Sequence, residues 1–121
     1  MGLDMYLSRK ARANEMEDVG LMYWRKANHI HRYFTEGVEE DNCTEIKVTE
    51  QDLVDLIDKC MDVLDRRESA KELLPTQSGF FFGNVEYNDY YFSDIRDTLE
   101  GLSNVLKVIE PNDELYYYAW Y

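Results

Sequence analysis

The chain has 121 residues, 45% of them hydrophobic and 14% aromatic, with ten tyrosines; disordered chains are poor in both classes, so one folded domain over residues 1–121 is expected. Its net charge of −12 opposes binding to nucleic acid, because affinity for a phosphate backbone comes mainly from Lys and Arg displacing counterions. There is no apolar run long enough to span a bilayer and no basic, apolar and cleavable leader, which argues against a membrane or secreted protein and for the cytoplasm.

In chain order, GLDMYLSRK alternates Leu3, Met5 and Leu7 with Asp4, Tyr6 and Ser8, the period of a half-buried strand. Residues 11–19 are polar without a period and read as a loop. From Gly20 to Thr35, the residues Leu21, Trp24, Ala27, Asn28, His31 and Phe34 recur at three- and four-residue intervals, which predicts an amphipathic helix stopped near Gly37. EGVEEDN is an acidic loop, and CTEIKV a short strand with Ile46 and Val48 on one side.

Thr49, with Asp52 three positions on, is close to a capping box and opens a second helix, whose stripe is Leu53, Leu56, Ile57, Cys60 and Leu64. This helix runs to about Glu68 and at most to Leu73, because Pro75 cannot continue it. The aromatic GFFFGNVEY, with its glycine boundaries, reads as a third strand. Asn88 then caps a third helix carrying Tyr91, Ile95, Leu99, Leu102, Leu106 and Ile109 on one face and closing before Pro111. ELYYYAWY ends the chain as a strand, with Tyr117, Ala119 and Tyr121 on one face and Tyr116, Tyr118 and Trp120 on the other. Together these elements predict a compact α+β domain of about three helices packed on a small, mainly antiparallel sheet. The alternation of strands and helices leaves a small mixed α/β sheet as the alternative.

Little in the sequence points to catalysis. His29 and His31 are two residues apart, whereas ligands on one helical face sit three or four apart, so no metal site is expected. Cys43, His31 and Asp41 supply the residue types of a nucleophilic triad without any assurance of its geometry. No glycine-rich phosphate loop or nucleophile elbow is present, so no cofactor is expected. Cys60, on the apolar helix face, reads as core.

The charge is uneven, since residues 1–35 hold six Lys/Arg against four Asp/Glu, and a local basic site can survive there. In LLPTQSGFFFG, a polar turn precedes an aromatic strand, and read as a strand it would send Phe80 and Phe82 to one side and Phe81 to the other. Aromatic rings for stacking beside amides that select an edge are what recognition of a nucleobase requires. The candidate ligand-binding residues are therefore Trp24, Arg25, Asn28, His31, Thr76, Gln77, Phe82 and Tyr118, with Arg25 or Arg32 for a phosphate. Asp52, Asp55 and Asp62, on the polar side of the second helix, form a second candidate surface, one that imitates a row of phosphates to a partner protein.

MGLDMYL, YWRKANHIHRYF, LLPTQSGFFFG and YNDYYFSDIRDTLE, with the aromatic C-terminus, resemble a family of small proteins encoded by bacteriophages and prophages of Gram-positive bacteria. The resemblance implies a phage setting in the cytoplasm of an infected host and brings no activity or functional residue with it. The expectation is a noncatalytic protein that sequesters a small nucleotide-like ligand and so counters host defence signalling. The alternatives are an acidic inhibitor that docks on a host or defence protein and a small enzyme acting on nucleotides. Small domains often complete a site by pairing aromatic edges across a symmetric interface, which favours a homodimer.

Overall fold

The computed structural model describes residues 2–121. Strands β1 (Asp4–Arg9) and β2 (Val19–Arg25) form a hairpin, followed by α1 (Asn28–Thr35), β3 (Ile46–Val48) and α2 (Glu50–Asp65). A 3-10 turn (Arg67–Ser69), a single-turn α3 (Ala70–Leu73), the long α4 (Asp89–Val108) and β4 (Leu115–Trp120) complete the chain. The sheet order is β2-β1-β4-β3 and every strand pair is antiparallel. The fold is thus α+β on an antiparallel sheet, and the mixed-sheet alternative falls away. No helix among the described residues is long and apolar enough to cross a membrane.

Alternation along the strands builds the core. In β4, Leu115, Tyr117 and Ala119 are buried while Tyr116 and Tyr118 are half-buried and Trp120 is exposed, as the period of two requires. Met5 lies opposite both Trp24 and Ala119, and Leu7 opposite both Met22 and Tyr117, so one inward row crosses three strands. These side chains share a core with Ile30 and Phe34 of α1, Leu53, Leu56 and Cys60 of α2, and Ile95, Leu102 and Val105 of α4. The helices therefore cover one face of the sheet. Burial pushes the Cys60 thiol up to about 12, as expected of a core residue. At Gly101 of α4, an added Cβ would stand 2.6 Å from Met22 Sδ, so the missing side chain sets how closely this helix approaches β2.

The capping box of α2 is complete: Thr49 Oγ1 accepts from the Asp52 amide, and the Asp52 carboxylate accepts from the Thr49 amide. The helix stops at Asp65, short of Glu68, and α3 continues separately to Leu73. At α4 the Asn88 side chain accepts from the Tyr91 amide, the cap the sequence indicates. The loop after β1 is held by ion pairs of Arg9 with Glu15 and of Arg12 with Asp113.

Two expectations are overturned. Residues 20–25 are strand, not helix: Val19, Tyr23 and Trp24 suit a strand, β1 offers a free edge to pair with, and Lys26 at φ +55 breaks the chain before α1 begins. Trp24 is buried by strand alternation, while Ala27, Asn28, His31 and Phe34 are buried around the helix. A three-residue step across the junction imitates one continuous helical face.

Nor is GFFFGNVEY a strand. The Phe82 amide donates to the Gly79 carbonyl at 3.2 Å, and Phe81 (φ +67) and Gly83 (φ +88) are left-handed, a geometry no ladder accommodates. Phe80 is 87% exposed and Phe81 46%, while Phe82 is 4% exposed, so the expected grouping of Phe80 with Phe82 is also wrong.

Candidate functional site

Helix α1 is short and carries most of the local chemistry. On its inner side His31 is fully buried: Nδ1 lies 2.6 Å from Tyr117 Oη and Nε2 3.1 Å from Asp41 Oδ2. The Tyr121 hydroxyl donates to the other oxygen of Asp41. A carboxylate only accepts, so Nε2 carries the ring proton and Nδ1 accepts from the Tyr117 hydroxyl. Burial outweighs the nearby carboxylate and holds the His31 pKa below its ordinary value. Both ring nitrogens are thereby engaged. His31 and Asp41 do meet, as a triad would need, but no nitrogen remains to take a proton from Cys43, whose thiol is exposed and turned toward Asn42.

Asn28 opens the same helix and is itself buried. Its Nδ2 donates to the carbonyls of Phe82 (3.1 Å) and Asn84 (2.9 Å), and its Oδ1 accepts from the Gln77 amide at 2.9 Å. One side chain thus holds three points of the loop that follows α3. Thr76 closes that loop, its hydroxyl donating to the Val85 carbonyl and its amide to Tyr87 Oη, and Arg32 donates to the Thr76 carbonyl at 3.0 Å. Phe82 packs edge-on against His31 and Tyr121.

Between α1, α2, α3 and the start of this loop lies an open cleft of about 700 Å³. Arg32, Tyr33 and Glu36 of the α1 edge, Lys59, Glu72 and Gln77 are among the residues that line it, with Asp41 and His29. His29 is 3% exposed and stacks on Tyr91 with ring centroids 4.2 Å apart. Its Nε2 is the one buried side-chain nitrogen or oxygen without a hydrogen-bond partner among the described residues. The same imidazole borders a second, smaller cavity of about 270 Å³ with Lys26, Asn84, Tyr91 and Asp94.

The expected ligand residues are only partly brought together. Asn28, His31, Thr76, Gln77 and Phe82 meet around the loop, but Asn28, His31 and Phe82 spend their polar atoms or surface on internal contacts, and only Gln77 of the eight lines the large cleft. Trp24 is in the core, its indole N–H donating to Thr98 Oγ1 at 2.9 Å. Arg25 lies on the hairpin, paired with Asp4 and bordering the smaller cavity. Tyr118 is on the other face of the sheet, away from the helices. Tyr23, Trp24 and Arg25 therefore belong to a strand, and Asn28, His29 and His31 to the helix after it. Of the acids, Asp52 is used in the α2 cap, whereas Asp55 and Asp62 are exposed. Lys59 and Tyr33 were not singled out by the sequence, where each is simply a polar flank of an amphipathic helix.

Burial of His29 has a measurable consequence. Its pKa falls from 6.5 to about 3 because the charged ring is desolvated. The neutral ring is the form the fold favours, so its contribution is complete above pH 6.5 and is lost as pH falls toward 3. By pH 5 the loss is about 2 kcal/mol. Asp94, whose carboxyl burial raises to about 6, acts in the opposite sense as pH drops below 6. We therefore expect unfolding free energies at pH 7.5 and pH 5 to show the wild type losing about 2 kcal/mol relative to His29→Phe, a comparison in which Asp94 cancels. An identical pH dependence in the two proteins would mean that His29 is not held neutral.

Compared with protein-family models, with curated proteins and with solved structures, the chain gives no match.

Proposed function

We propose that the protein binds a small nucleotide-like anion in the cleft beside α1 and acts by sequestering it, without turnover. The observation that carries this reading is the cleft itself: about 700 Å³, with the cations Arg32 and Lys59, the Gln77 amide, the Tyr33 ring and the unpartnered His29 on its walls. Its size is that of a site for a molecule of a few hundred daltons. A guanidinium grips a phosphate through two donors and an ammonium adds a second point charge. Glu36 and Glu72, also on its walls, can accept hydrogen bonds from the exocyclic amines that a base carries. The resemblance to phage proteins makes host defence signalling the setting in which removal of such a ligand would matter.

Calorimetric titration of the purified protein with mono-, di- and cyclic nucleotides tests the reading. Binding is expected for at least one of them, and Arg32→Ala and Lys59→Ala should each weaken it by ~10-fold or more, the worth of a charge-assisted hydrogen bond. Chromatography of the released ligand should recover it unchanged. Failure of every nucleotide to bind at millimolar concentration, or affinity indifferent to both substitutions, would remove the proposal; a cleaved ligand would replace sequestration by catalysis.

A further inference from the structure

We propose that the sheet face turned away from the helices is a homodimer interface, on which a second copy of this chain docks face to face about a twofold axis through the Tyr6 and Tyr118 pair.

That face is aromatic without a covering layer. Tyr23, Tyr6 and Tyr118 stand opposite one another across β2, β1 and β4. Tyr116 and Trp120 flank this row on β4, two residues to either side of Tyr118. Trp120 is 61% exposed and Tyr23 51%. The rings of Tyr6 and Tyr23 are 5.2 Å apart, so they form one patch and not scattered single residues. Tyr and Trp combine large apolar area with few rotatable bonds, which is why they dominate protein interfaces.

Charge identifies the occupant. Among the described residues the charged side chains on this face or bonded to its rim are Asp4, Lys10, Asp18, Arg25, Glu45, Lys47 and Glu114, three cations against four anions, so nearly all of the net charge of −12 lies elsewhere on the molecule. Arg25 is held by Asp4 at 2.8 Å, Lys10 by Glu45 at 2.6 Å, and Tyr116 donates to Asp18. Lys10 also lies 4.4 Å over the Tyr116 ring. A polyanion finds two of these three cations, Lys10 and Arg25, already held by carboxylates, so the aromatic row is poorly suited to single-stranded nucleic acid, which needs a basic track beside its stacking rings. A second copy meets no such lack: two nearly neutral faces come together while the acidic surfaces of both copies stay apart and in water. Strand spacing and rise give the four-stranded face a footprint of roughly 20 Å by 20 Å, about 400 Å² of flat area per copy and roughly 800 Å² for two, to which the relief of the protruding rings adds, at the lower end of specific interfaces.

Sedimentation velocity of the intact protein at ~100 µM tests this. Twice the 14.4 kDa chain mass is expected for the wild type. Trp120→Glu and, independently, Tyr23→Glu should raise the dimer dissociation constant at least ~30-fold, as for a central aromatic anchor. Circular dichroism would confirm that each variant folds, and Phe80→Glu, in the loop off this face, should leave the dimer intact. A monomeric wild type, or a dimer equally strong in both sheet-face variants, overturns the proposal. So does a wild type that stays monomeric until a labelled single-stranded oligonucleotide binds and quenches these aromatics.

Discussion

Phe82→Ala should cost about 3–5 kcal/mol of stability, and Phe80→Ala, two residues away in the same apolar run, less than about 0.5 kcal/mol. The difference follows from burial. Phe82 is 4% exposed and fills the space between His31 and Tyr121, with ring centroids 5.2 and 4.8 Å away, so truncation leaves a cavity whose neighbours are fixed by their own hydrogen bonds. Phe80 is 87% exposed and has almost no transfer free energy to lose. For a domain of this size the Phe82 loss corresponds to a fall in Tm of 10 °C or more, on the order of 4 °C per kcal/mol. Urea denaturation of the two variants checks it. Equal losses would mean that Phe80 and Phe82 are buried together, as in a strand between two layers, and that the turn described above is not formed.

Asn28→Ala should destabilise by about 3 kcal/mol, the sum of three buried hydrogen bonds at roughly 1 kcal/mol each. Alanine can neither donate to the carbonyls of Phe82 and Asn84 nor accept from the amide of Gln77. The loop would then be free to open, and exchange of the Gln77 amide should accelerate ~100-fold relative to the amides of α4. Asn28→Asp is a sharper probe. It keeps the acceptor for Gln77 but replaces the donor of two bonds by a carboxylate facing two carbonyl oxygens, so it should be at least as damaging as alanine. An Asn28→Ala protein within about 0.5 kcal/mol of wild type, with Gln77 still protected, would show that the loop is held by its other bonds, through Thr76, Tyr87 and Arg32.

These two residues also show how the sequence misleads. Asn28 sits on an otherwise apolar helical face, and an amide there reads naturally as a ligand group. Its bonds reach residues 77, 82 and 84, about 50 positions away, and no local pattern encodes such a partner. The same holds for His31, whose partners Tyr117 and Asp41 come from β4 and from the loop before β3. The cleft arises in the same way. Arg32, Lys59, Glu72 and Gln77 belong to four different segments and become neighbours only after packing.

By itself, the sequence determined the elements whose signals are local. The alternation of β1 and β4, the capping box and apolar stripe of α2, and the Asn88 cap and stripe of α4 each repeat within a few residues, and the backbone period sets the side that is buried, although Ile57 and Leu64 of α2 and Leu99 and Leu106 of α4 are only half-buried and Ile109 lies just past the end of α4. Tertiary structure decided the rest. Whether residues 19–25 became strand or helix depended on the open edge of β1, because β-prone aromatics take whichever partner completes their hydrogen bonds. Whether GFFFG became strand or turn depended on Asn28, on the Leu3 amide, which bonds the Phe81 carbonyl, and on left-handed backbone at Phe81 and Gly83. A buried backbone carbonyl must find a donor somewhere, and when that donor comes from a distant segment, only the folded chain supplies it.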